Sequence, residues 1–178
     1  PYKVISVDTC EADDVIATLV QKYSSTQKIM ILSSDKDFAQ LQRYTNVEQY
    51  SPILKKYIKE PLPLLQLKQL IIRGDKGDGI PNILSADDVF VSGGRQKPIT
   101  EAKIIGWMNQ EAKEFCNEDM LRNFSRNEML IDLMKIPERL ANEILHTYEN
   151  AIGHSKQDFM NYMIANRLKN LIEVLDDF

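Results

Sequence analysis

Apolar residues recur along this chain with two periods, and the change from one to the other divides it. Lys-Val-Ile-Ser-Val at 3–7 is short and β-branched, and Lys28–Leu32 is a second such run, so both read as strands. Between them, apolar residues at 12, 15, 16, 19, 20 and 23 trace the stripe of an amphipathic helix. A short helix with Phe38 and Leu41 inward follows Ser33-Ser34, and Val47–Tyr50 and Ile53–Ile58 read as two further strands around Pro52. Strand, helix, strand at this spacing predicts a βαβ unit. The fold class is therefore α/β, with a parallel sheet, helices on both faces and a right-handed crossover.

After Pro61 and Pro63 the period becomes helical. Leu62–Arg73 is a leucine-rich helix ended by Gly74, and residues 74–82 form a loop with three glycines and a proline. A second irregular stretch, Ser92–Pro98, carries Gly93-Gly94 and two bases. Helices are then predicted over Thr100–Phe115, Glu118–Leu133, Pro137–Asn150 and Asp158–Leu175. Residues 1–60 thus form an α/β portion and 61–178 an α-helical one. Met120, Met129 and Met134 have the spacing of a buried stripe, and Phe38, Tyr50 and Trp107 read as packing residues.

Composition narrows the class without naming a function. Apolar residues make up 43% and charged residues 27%, ordinary values for a soluble globular protein. No apolar run approaches the ~20 residues of a membrane span. Two isolated cysteines, Cys10 and Cys116, make no disulfide framework and point to a reducing compartment. No targeting peptide is visible, and the start at Pro1 without a methionine reads as a piece of something longer.

The net charge of −4 argues against a polyanion binder until the acids are located. Seven of them lie in three clusters: Glu11, Asp13 and Asp14; Asp35 and Asp37; Asp75 and Asp78. The other 19 are outnumbered by 22 bases, and nine of those bases fall between Lys55 and Lys103. The first two clusters follow predicted strands, so they land on one edge of a parallel sheet, where ligand crevices form. The third sits on a glycine-rich loop able to reach that edge. Each cluster alone also fits a helix cap, a first-turn acid or a turn residue. Together they conflict, because carboxylates ~4 Å apart repel by about 4 kcal/mol at an effective dielectric of 20. Such a crowd requires raised pKa values or divalent cations. Oxygen ligands select hard ions, Mg²⁺ or Mn²⁺. His146 and His154 lie in the helical tail, away from any zinc pattern, and no EF-hand, P-loop, nucleophile elbow or dinucleotide fingerprint occurs.

Three strings in this order, Glu-Ala-Asp-Asp at 11–14, Ser-Ser-Asp-Lys-Asp-Phe at 33–38 and Arg-Gly-Asp-Lys-Gly-Asp at 73–78, resemble the 5′-nuclease (flap endonuclease) family. Residues 1–14, Asn46–Pro52 and the Asp177-Phe178 end are similar to a T-even phage branch of it. The resemblance implies a PIN-like nuclease domain, of which 1–60 is the C-terminal part. It further implies a helical duplex-binding domain over 61–178, with a helix-turn-helix-type element beginning at residues 77–82. The activity implied is divalent-metal-dependent 5′→3′ exonuclease and flap cleavage on DNA and RNA–DNA duplexes, removing RNA primers during replication. Glu11, Asp13, Asp14, Asp35, Asp37, Asp75 and Asp78 match the family's acidic positions as ligands of two Mg²⁺ or Mn²⁺ ions. Lys76, Arg95 and Lys97 are the phosphate contacts implied. A single-stranded-DNA-binding protein, a sliding clamp and the cytoplasm of an infected bacterium are the implied partners and location.

The chain departs from the family in lacking the upstream strand with its acids and the helical arch, so weak or absent activity is expected of it alone. It also lacks, over 79–98, the glycine pattern with which cellular relatives hold a monovalent ion on duplex DNA. A catalytically silent DNA-binding scaffold and another PIN-type ribonuclease, such as a toxin, stay open beside the nuclease reading. The helical portion with its bases counts against a toxin.

Overall fold

A sheet of three short strands and a set of helices grow from these patterns in a computed structural model that describes residues 2–175. Asp177-Phe178 lies outside the described residues. Helix α1 (Ala12–Tyr23) leads to strand β1 (Ile29–Leu32), a 3-10 helix (Lys36–Arg43), β2 (Val47–Ser51) and β3 (Lys56–Ile58). The helical part comprises α2 (Pro63–Arg73), α3 (Glu101–Met108), α4 (Ala112–Phe115), α5 (Glu118–Ile131), α6 (Glu138–Asn150), α7 (Lys156–Ala165) and α8 (Lys169–Ile172).

The chain is α/β as expected, with a sheet that is mixed rather than all-parallel. Strand β1 pairs with β2 in parallel, Ile29 opposite Val47, and β2 turns back on β3 in an antiparallel hairpin. Hairpin connections of a few residues allow only antiparallel return, which the Pro52 turn imposes. Side chains alternate across the sheet. Ile31, Val47, Gln49 and Ser51 are buried, while Met30, Leu32 and Tyr57 on the opposite face stay exposed. The helices of the described residues therefore cover one sheet face.

Four expectations need correction. Residues 3–7 join no strand pairing. A lone β-branched run has no ladder to join, and Lys3 instead donates to the Tyr148 carbonyl of α6 and sits over its ring. The helix expected over Thr100–Phe115 breaks at 109–111, where Glu111 becomes the N-cap of α4. The final helix is divided by a turn in which Arg167 has φ +58°. Met129 is exposed, so no continuous methionine stripe forms.

Two cores hold the chain. Ala17, Val20, Ile31, Phe38, Leu41 and Val47 join α1, the sheet and the 3-10 helix. Leu67, Ile71, Ile72, Ile80, Ile83, Ile104, Phe124 and Ile131 join α2, α3 and α5 to the loop between α2 and α3. Each fully buried aliphatic side chain stabilises the fold by about 1.5–3 kcal/mol. Buried Gln40 links the cores at both ends of its amide, donating to the Ile131 carbonyl and accepting from Leu133 N–H. That link brings the end of α5 beside the strand end of the sheet, where the acids lie.

Candidate metal centre

Three chain segments meet at this rim. Helix α1 begins there, with Glu11 as N-cap and Asp13 and Asp14 in its first turn. Glu11 N–H donates to the Asp14 carboxylate at 2.9 Å, so Asp14 also caps the helix. The turn leaving β1 supplies Asp35, N-cap of the 3-10 helix, which accepts from Asp37 N–H at 3.0 Å. The cap is Asp35 rather than Ser34, whose hydroxyl is taken by Ser51 at 2.7 Å. The third segment is the loop after α2, closed by a bridge between Asp75 and Ile80.

The loop turns tightly for a reason visible at Gly74, which has φ +68°. A Cβ there would lie 2.3 Å from the Ile80 carbonyl oxygen, so only glycine lets the backbone close. Asp75 Oδ1 then accepts from Gly77 N–H at 2.8 Å. Buried amides fix the surroundings. Gln49 donates to the Ser33 and Asp35 carbonyls, and Asn127 donates to the Ile71 and Pro81 carbonyls on either side of the loop.

Six of the seven predicted acids, Glu11, Asp13, Asp14, Asp37, Asp75 and Asp78, line one cavity of ≈ 110 Å³. Leu70, Ile80, Leu130, Ile131 and Leu133 close it on the apolar side. Carboxylate oxygens of Asp37, Asp75 and Asp78 lie within 4.8 Å of one another. Asp35 does not line the cavity, though its charge acts on both Asp13 and Asp37.

The crowding is felt as shifted acidities. Burial, followed by the Asp35 charge, pushes Asp37 up to about 6. Asp13 is raised by burial and then by Asp35, Glu11, Asp14 and Asp78. Asp75 goes the other way, because the Lys36 ammonium donates to it at 2.5 Å. Asp37 Oδ1 is buried without a hydrogen-bond partner. A bare carboxylate oxygen beside two converging carboxylates fits a hard divalent cation, and the absence of nitrogen or sulfur donors disfavours zinc.

Lys76, Arg95 and Lys97 are all exposed, and none of them is in an ion pair among the described residues. Lys76 lies in the acidic loop itself. The stretch carrying Arg95 and Lys97 is tied to that loop's end. Asn82 donates from its side chain to the Lys97 carbonyl and from its backbone N–H to the Gln96 side-chain oxygen, while Lys97 N–H donates to Ser85. Residues 83–92 form successive turns, and the next helix, α3, begins at Glu101. The sequence patterns did not single out Lys36, Gln49 or Asn127. Lys36 carries a signal in standing between Asp35 and Asp37; the two amides carry none.

Two family models divide the chain. Residues 63–178 match "T4 RNase H, C terminal", and residues 1–66 match the "5'-3' exonuclease, N-terminal resolvase-like domain". Ribonuclease H of Enterobacteria phage T4 is 31% identical over 186 residues, covering all of this chain and 61% of that protein. Flap endonuclease Xni of Shewanella woodyi is 39% identical over 90 residues, 45% of this chain and 35% of that protein. A solved variant of T5 5′-exonuclease is similar in fold, with TM-score 0.53 at 15% identity, over 79% of this chain and 65% of that one. The chain thus spans less than two thirds of the length of each relative.

Proposed function

The chain belongs to the 5′-3′ exonuclease family related to T4 ribonuclease H, and on that premise we propose that it carries most of the metal site and the duplex-binding part of a structure-specific 5′ nuclease. The reaction is divalent-metal-dependent 5′→3′ exonuclease and flap cleavage of phosphodiesters in DNA and RNA–DNA duplexes, with RNA primer removal as its use. The observation carrying this reading is that Asp37, Asp75 and Asp78, remote in sequence, converge within 4.8 Å in a cavity that Glu11, Asp13 and Asp14 also line.

In this reading Glu11, Asp13, Asp14, Asp35, Asp37, Asp75 and Asp78 hold Mg²⁺ or Mn²⁺, two ions in all. Bound there, such ions acidify water and neutralise charge on phosphate oxygens. The chain's own contributions are positional. Residues 1–60 supply the nuclease-domain acids, and 61–178 grip the duplex through α2, the loop region 74–100 and α3 as a helix-turn-helix-type element. Lys76, Arg95 and Lys97 take the phosphates, long exposed cations being suited to a polyanion. A replication single-stranded-DNA-binding protein and a sliding clamp are its proposed partners. Because the chain covers 61% of its T4 relative, we expect it to cleave weakly alone.

The test compares this chain with a version whose N-terminal part is restored, on a 5′-flap substrate. Restored cleavage that Asp13→Ala or Asp35→Ala abolishes, while flap binding in Ca²⁺ persists, is the expected result. Cleavage unchanged by either substitution defeats the reading.

A further inference from the structure

One carboxylate of the acidic cavity, Asp75, already carries a cation. Lys36 opens the 3-10 helix and reaches across to the loop after α2, donating from Nζ to Asp75 Oδ2 at 2.5 Å. The carboxylate is buried and the lysine side chain is 63% exposed, so the ammonium comes in from solvent. The two residues are 39 apart in sequence, and their pair ties the 3-10 helix to the loop after α2. Asp75 therefore has both oxygens engaged, by Lys36 and by Gly77 N–H. Asp37, in the same cluster, leaves one oxygen bare.

We propose that Lys36 is a built-in counter-ion, a positioning residue that holds Asp75 among the converging carboxylates and releases it when a divalent ion enters. The inference rests on the reading of this cluster as a metal site. An ammonium and a divalent cation repel when they share a carboxylate, and the more highly charged ion prevails. Lysine can yield without loss, since its flexible stem carries a strongly hydrated point charge that returns to water. A buried guanidinium in the same place would be held by its fork geometry; this side chain is not.

Titration calorimetry with Mn²⁺ alone, and thermal denaturation with and without Mn²⁺, on the 178-residue chain, its Lys36→Met and Lys36→Arg variants test this. Lys36→Met should melt lower without metal, bind Mn²⁺ about tenfold more tightly, and match the wild type's melting point once saturated. Lys36→Arg, whose guanidinium fork grips the carboxylate, should bind Mn²⁺ more weakly than wild type. Should Lys36→Met not fold, Lys36→Gln, which still donates a hydrogen bond, is expected to show the same gain in affinity. Unchanged or weaker Mn²⁺ binding in the charge-removing variant, with equal destabilisation at saturation, makes Lys36 a plain structural clasp and overturns the proposal. Failure of the wild type to take up Mn²⁺ overturns the metal reading itself, and the counter-ion role with it.

Discussion

The acids and the bases of this molecule are supported in different ways. Around the carboxylates, backbone and amides are buried and matched: Gly74 permits the turn, Asn127 bonds both flanks of the loop, and Gln49 holds the strand end. At Lys97 the backbone is tied down, while the side chains of Arg95 and Lys97 are exposed to solvent. The difference follows from what each region would bind. A small hard cation fixes its ligands to within a fraction of an ångström. A phosphate backbone is met by long side chains through charge, with register set by many weak contacts. The acidic region should therefore fail when its supports are touched, and the basic region only when its charges are.

The sharpest break is Gly74→Ala. A Cβ 2.3 Å from Ile80 O, on a residue at φ +68°, forces the bridge between Asp75 and Ile80 apart. We expect a loss of about 3 kcal/mol or more in urea denaturation, together with loss of Mn²⁺ binding. Next comes Asn127→Ala. In a fully buried position it strips the Ile71 carbonyl of its donor and leaves the Pro81 carbonyl with Arg126 alone. The expected cost is about 2–3 kcal/mol, with weakened Mn²⁺ binding in calorimetry although Asn127 touches no carboxylate of the cluster.

Acidity separates two carboxylates within the acidic region. Asp37 sits at about 6 when folded, above the ordinary 3.8. Its protonated form is the one the metal-free fold favours, so its contribution to stability is full below pH 3.8 and is lost as pH rises through about 6. Asp75, lowered by Lys36, contributes in the opposite sense, above 3.8, and loses that contribution as pH falls through its depressed value. Mn²⁺ requires ionised carboxylates, so Mn²⁺ affinity should fall between pH 7 and pH 5. Asp37→Asn should leave the metal-free chain at pH 7 no less stable, weaken Mn²⁺ binding at least tenfold, and flatten that pH dependence. Denaturation and calorimetry across this range check both halves.

Much of this is legible in the sequence itself. The stripe from Ala12 gives α1, the leucines before Gly74 give α2, and clustered acids at predicted strand ends gather at one cavity. What escaped depends on partners far away in sequence. Residues 3–7 have the composition of a strand, but a strand exists only where a neighbour offers its edge. Asn127 reads as an ordinary surface residue on a polar helix, and its role appears only once Ile71, 56 positions earlier, is beside it. Lys36 stood in view between two aspartates, yet its pairing with Asp75 needs the loop to fold over.

The smallest effect on the fold, and the cleanest on function, belongs to the bases. Arg95→Gln and Lys97→Gln remove charge from exposed side chains, and at Lys97 the backbone does the local bonding, so melting points should stay within a degree or so of wild type. Binding of a duplex DNA with a 5′ flap, followed in Ca²⁺ at several salt concentrations, should weaken for each variant by a similar factor on different sequences. The slope of log affinity against log salt should fall by about 1 per charge removed. A variant that changes melting but not the salt slope would place these bases with the structural supports rather than with the phosphates. The contrast between a built acidic site and a loosely held basic one would then have to be drawn elsewhere on the surface, along Lys55, Lys56 and Lys59.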